Sequence, residues 1–290
     1  MDGRTAREVE HYEDKSSAIE NEMRAQSGVN ASGKHLYAFL AVLSLLVPVR
    51  RAALGQNSPA PQPEAAQLME LANRARAQAG APPLHWDSAL AEAARKHTLR
   101  MAAEGPIAHR YPGELDVSER AGHAGAHFDL LEENVAIAAT PEAIHDGWMH
   151  SKEHRDNLLN PQVNRVGIAV VPSRGVLYAT ADYSRGVEAL SQEQVEARIG
   201  GLIQTAGVKI RPDRALARAA CAMTSGFPRS VDSAGPGLVI RWQDSNLSQL
   251  PKGLADSLAS GTYHEAAVGS CEPRGVEGTF TMYRIGVLLY

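Results

Sequence analysis

Cysteine is scarce in this chain: its 290 residues hold two, Cys221 and Cys271, both in the last third. Neither belongs to a C-x-x-C pair, which argues against a cysteine-built zinc site. Two such distant cysteines form a disulfide in an exported chain or stay as buried thiols in a retained one. Excess charge is also lacking, with a net charge of −4 and a pI of about 6.3. No cluster of Lys and Arg with interleaved aromatics occurs, so nucleic acid is not an expected partner. There is no G-x-S-x-G, no H-E-x-x-H and no phosphate-binding glycine loop, which removes the usual signatures of serine hydrolases, zinc peptidases and nucleotide enzymes. The hydrophobic fraction of 44% is ordinary and allows a sizeable core in one large or two ordinary domains.

Residues 1–35 are polar, charged and without apolar periodicity, and read as a disordered extension. An unbroken apolar run of 14 residues follows, Leu36–Val49. It is shorter than the ~20 residues of a membrane span and suits the core of a signal peptide. Lys34 precedes it and Ala53-Leu54-Gly55 offers small residues for cleavage, whereas Arg50-Arg51 fits a retained anchor better. Residues 36–55 are therefore expected to engage the membrane or the export machinery as a signal peptide or an anchor. Residues 56–63, QNSPAPQP, are a proline-rich linker.

The first helix is expected from Glu64 to Gly80, with Leu68, Leu71, Ala72, Ala75 and Ala79 at helical spacing. Asp87 caps a second through about Ala103, whose stripe of Leu90, Ala94, His97 and Met101 makes His97 a packed core histidine. Residues 105–131 read as a long loop containing His109, His123 and His127, with a short helix about Ser118–Ala121. Thr140 caps a helix that starts at Pro141 and carries Ile144 and Trp148 on one face. Ser151 caps a short turn bearing His154 and Arg155, and Pro161 ends it. Val166–Val171 and Val176–Tyr183 flank a Pro-Ser-Arg-Gly turn and form an antiparallel hairpin.

After Ser184 the pattern starts again. The helix DRALARAA from Asp213 matches DSALAEAA from Asp87 at six of eight positions, and Arg284–Leu289 echoes Arg165–Val170. The two echoes in the same order suggest a degenerate second copy, residues 188–290, without the acid and histidine motifs of the first.

Those motifs carry a family resemblance. Asn73 and Arg76 form an N-x-x-R pattern, followed by Pro83-Leu84-His85-Trp86-Asp87 and then by Ala108-His109. Next come Glu132-Glu133-Asn134-Val135-Ala136, the series Trp148, Ser151, His154, Arg155, Asn157 and Leu159, and Val166-Gly167. In this order they resemble the bacterial form of the CAP superfamily (cysteine-rich secretory proteins, antigen 5 and pathogenesis-related 1). The resemblance implies an α+β fold over 64–187, a three-layer α-β-α sandwich, in a secreted, periplasmic or envelope-tethered protein. It also implies a ligand-binding cleft lined by His109, Glu133, Ser151, His154 and Arg155. Asn73, Arg76, Trp86, Asn134, Trp148, Asn157 and Gly167 are its expected structural residues. Ser151 stands where many relatives carry a second glutamate, Glu132 replaces the usual glycine and adds charge beside the cleft, and Glu119 and Glu153 are the acids at hand to compensate.

Glu133, His109 and His154 are the candidate catalytic groups, as general acid and base or, through the imidazoles of His109 and His154, as a partial shell for zinc. The plainer reading is a hydrogen-bonded network in a binding module for a small ligand, a lipid or an envelope component. The alternative is a metal-assisted hydrolase of cell-wall or peptide material. A Cys221–Cys271 bridge would close a loop of about 50 residues, worth ~4 kcal/mol in the chain-entropy model.

Overall fold

A computed structural model describes residues 61–224, 226, 235–274 and 279–290. The extension, the apolar run and most of the linker lie outside these residues. Among the described residues no helix is long and apolar enough to cross a membrane.

Helix α1 spans Pro63–Ala79, begins on a proline at its first position and ends on Gly80 in the left-handed region. The two-residue strand β1, His85–Trp86, leads to Asp87, whose carboxylate caps α2 (Ser88–Glu104) by accepting from the Ala89 and Leu90 amides. The expected long loop is shorter than the sequence suggests. Asp116 and Glu119 form a reciprocal capping box that starts α3 (Val117–His123), and strand β2 already begins at Phe128 and runs to Ala138. Thr140 caps α4 (Pro141–His150) as expected. Helix α5 covers Lys152–Leu159, and β3 (Arg165–Ser173) and β4 (Val176–Gly186) form the hairpin.

These strands form one sheet in the order β1-β3-β4-β2, with β1 parallel to β3 and the other pairs antiparallel. Strand alternation sends Val166, Ile168 and Tyr183 into a core with Leu68 of α1, Ile144 and Trp148 of α4 and Leu158 of α5. The opposite face packs on α2 and α3 through Leu90, Ala121, Phe128, Met101 and Val135. This is the three-layer sandwich that the motifs imply. Gly167 is obligatory in it, because a Cβ there would lie 2.0 Å from the Ala91 amide nitrogen on α2.

Residues beyond β4 build a second sheet. Helix α6 (Gln192–Thr205), strand β5 (Lys209–Ile210) and helix α7 (Arg214–Cys221) precede β6 (Leu238–Asp244). Helix α8 (Lys252–Ala259) and strands β7 (Glu265–Cys271) and β8 (Tyr283–Leu289) complete it. The order is β5-β7-β8-β6, with β5 parallel to β7 and the other pairs antiparallel, so order and direction repeat those of the first sheet. Helix α7 sits where α2 does, as the DRALARAA echo suggests. The second echo is corrected: Arg284–Leu289 is β8, the counterpart of β4, whereas Arg165–Val170 lies in β3. Two neighbouring antiparallel strands, each buried on both faces, have the same apolar pattern, and their order cannot be read from it.

Register aligns the sheets residue by residue. The bridge Trp86–Val166 corresponds to Ile210–Ala266, and reading across each ladder places Val239 at the position of Glu133 and Leu288 at that of Asp182. The halves meet where Phe280 packs edge-on against Phe128 at 5.2 Å and the Thr281 amide donates to the Phe128 carbonyl. Cys221 and Cys271 are joined in a disulfide, with Cα atoms 5.9 Å apart, tying the end of α7 to the end of β7.

Candidate functional site

Strand β2 is the free edge of the first sheet, so segments from both helical layers reach round it. Alternation points Glu133 toward the α2–α3 layer and Asn134 toward α5. The Asn134 side-chain amide donates to the His154 carbonyl at 2.8 Å, and its oxygen accepts from Asn157 at 3.0 Å. Asn157 also donates to the Glu133 carbonyl, and the Trp148 indole to that of Val135. These expected structural residues therefore fix the start of α5, and with it His154, against the edge strand.

From the other layer comes the segment before α3. His97 is wholly buried, as expected, but it is more than a packing residue: its nitrogens meet Glu114 at 2.8 Å and the Ala108 carbonyl at 2.9 Å. That pair clamps the loop on which the next residue, His109, projects. His109 Nδ1 lies 2.9 Å from one Glu133 carboxylate oxygen, and the Arg120 guanidinium on α3 donates to the other. Arg120 also donates to the carbonyls of His109 and Leu115. The Glu133 side chain is 4% exposed, whereas that of His109 is 59% exposed and faces solvent.

Asp182 stands directly across the ladder from Glu133. It is wholly buried, and neither carboxyl oxygen has a hydrogen-bond partner. Burial first, and the Glu133 carboxylate second, hold its carboxyl well above the usual carboxylate range, with Arg120 opposing. The imidazoles are pushed apart. The hydrogen bond to Glu133 raises His109, whereas burial, followed by the charge of His109, lowers His154.

The expected cleft is thus partly assembled. His109 and Glu133 are in contact, and His154 is brought near enough to feel His109. Ser151 does not cap α5: its hydroxyl donates to the Glu153 carboxylate instead. Arg155 is exposed and reaches back to the Met149 carbonyl at 3.4 Å, finishing α4 and not lining the pair. Glu132 leaves the cleft because strand alternation turns it to the opposite face, where it accepts from Asn160 at 2.8 Å. Glu119 is used in the α3 capping box. Arg76 is fully buried and donates to the carbonyls of Pro82, Leu158, Asn160 and Val163, while Asn73 pairs both ways with Leu84. Trp86 packs, partly buried, at the rim of the first core.

Three described donors, His109, Glu133 and His154, do not fit the expected zinc shell. Both Glu133 oxygens are engaged, one by the Arg120 guanidinium and the other by His109 Nδ1. Among the described residues no group of three or more His, Cys, Asp or Glu side chains is placed to hold a metal ion.

Residues 69–183 match the family model "CAP: Cysteine-rich secretory protein family". Over 111 residues the chain is 30% identical to the uncharacterized protein YkwD of Bacillus subtilis (strain 168), covering 38% of this chain and 43% of that one. Over 106 residues it is 29% identical to the uncharacterized membrane protein YlbC of the same strain, covering 36% of this chain and 30% of that one. Among solved structures it is similar to an extracellular protein containing a SCP domain from Bacillus anthracis str. Ames. That match has 28% identity and a TM-score of 0.40, and covers 42% of this chain and 40% of that one. The chain thus spans less than half the length of each of these relatives. Residues 69–183 thus form a segment similar to the CAP family and to the matching parts of these bacterial proteins.

Proposed function

We propose that this is a secreted or envelope-tethered CAP-domain protein whose edge-strand cleft binds a small ligand or envelope component without catalysing a reaction. The observation that carries this reading is the engagement of both Glu133 oxygens, by His109 and by Arg120. A carboxylate held in an ion pair on one side and a hydrogen bond on the other is a poor general base. The loop that presents His109 also exposes two apolar side chains, Ile107 and Leu115, at 44% and 39%, which is in keeping with a partly apolar ligand. The disulfide supports an oxidising compartment, and the apolar run 36–49 and the extracellular relative point the same way. The second half is read as a degenerate repeat of the first, with Val239 and Leu288 in place of the two acids.

The test is hydrolysis of peptidoglycan and of casein by the parent and by Glu133→Gln, with and without added zinc. The expected result is no turnover above background in either protein. Turnover by the parent that is lost in a folded Glu133→Gln would establish the metal-assisted hydrolase instead.

A further inference from the structure

The second half carries a cationic site that owes nothing to the CAP motifs. Seven arginines of residues 188–290 are described, and four of them, Arg198, Arg211, Arg214 and Arg218, pair with carboxylates. The other three, Arg241, Arg274 and Arg284, converge beyond the end of α7 and bond to backbone carbonyls. Arg241 donates to Ala220 at 2.6 Å and to Gly226, Arg274 to Ala222, and Arg284 to Met223 at 2.6 Å. The end of a helix offers about half a negative charge. Three guanidiniums gathered there leave most of their charge uncompensated among the described residues.

One donor is also unused. Arg284 is 7% exposed, and its Nη1 is buried with no hydrogen-bond partner. A buried guanidinium nitrogen left unpaired carries its full desolvation penalty, unless a ligand completes it. The three arginines, with Thr224, Trp242 and Gln243, line a cavity of about 290 Å³. Gln243 exchanges two hydrogen bonds with the Arg274 backbone and so fixes that arm of the site. The disulfide braces it too, since Cys221 ends α7 and Cys271 pairs with Arg284 across the ladder.

We propose that Arg241, Arg274 and Arg284 form a binding site for a phosphate group. Phosphate suits the site better than a carboxylate does. It bears up to about two negative charges and several acceptor oxygens, so it can satisfy more than one guanidinium at once.

The test uses the full chain at low salt in isothermal titration, with inorganic phosphate in one arm and glycerophosphoglycerol, a deacylated lipid headgroup, in the other. One saturable site per chain is expected, weakened about tenfold or more by Arg274→Gln and by Arg284→Gln, as befits loss of a charge-assisted hydrogen bond. Arg274 is exposed, so Arg274→Gln decides the matter even if the buried substitution fails to fold. Tighter binding of inorganic phosphate identifies free phosphate as the ligand, tighter binding of the diester identifies a headgroup, and equal affinity shows that the phosphate group alone is recognised. No saturable binding in either arm, or binding unchanged in a folded Arg274→Gln, overturns the site.

Discussion

At position 133 a single carboxylate divides its oxygens between an imidazole and a guanidinium, with a second carboxyl, Asp182, buried across the ladder. Asp182 makes the molecule sensitive to pH in a definite direction. Its folded pKa lies above its unfolded value, so between the two the native state holds more protons and stability falls as pH rises, by about 1.4 kcal/mol per pH unit. In Asp182→Asn that slope disappears. The expected outcome is a variant whose stability relative to the parent improves steadily as pH rises above the ordinary carboxylate range, read from urea unfolding at several pH values. A constant difference between the two proteins would contradict the buried-acid account. Glu133 and His109 were legible in the sequence because they sit in motifs with fixed neighbours. Asp182 and Arg120 were not, although each left a signal: an acid inside the apolar run Ala179–Tyr183, and an arginine one residue after a capping box.

The elements that hold this site were read from caps and turns more reliably than from periodicity. Asp87 and Thr140 mark their helix starts, and Gly80 ends α1. Strand β2 was harder to place, because Leu130 to Val135 mixes apolar, acidic and amide residues and shows no clean alternation. An edge strand with a functional polar residue on each face has no such alternation to show. Ser151 illustrates the limit of residue-type arguments: it occupies the N-cap position of α5 yet bonds to Glu153. At this scale the close approach of β3 to α2 is the most demanding contact. Gly167→Ala places a Cβ within 2.0 Å of backbone on α2, so a helix must move to admit one methyl group. The expected cost is about 3 kcal/mol, the upper range for overpacking, measured by urea unfolding. Gly147→Ala, on a surface with no atom within 4 Å, serves as the control and is expected to lose no stability. A neutral Gly167→Ala would contradict the packing described.

Across the whole molecule, two sheets of the same order and direction are joined through the Phe128–Phe280 contact, and the polar chemistry is distributed unequally between them. The first sheet keeps Glu133 and Asp182 at its edge pair of strands. The second has Val239 and Leu288 there and gathers arginines at the far end of the same strands, beside the disulfide. Recurrence of the helix after the first edge strand was visible in the sequence, but which late strand matches which needed the ladder. The central claim, that Glu133 is occupied by His109 within a cleft shared by both helical layers, is tested most directly by NMR titration of the full chain labelled on histidine. His109 is expected to titrate above the ordinary histidine value and above His154, and to fall in Glu133→Gln. A His109 that titrates at or below His154, and does not move in Glu133→Gln, would contradict it.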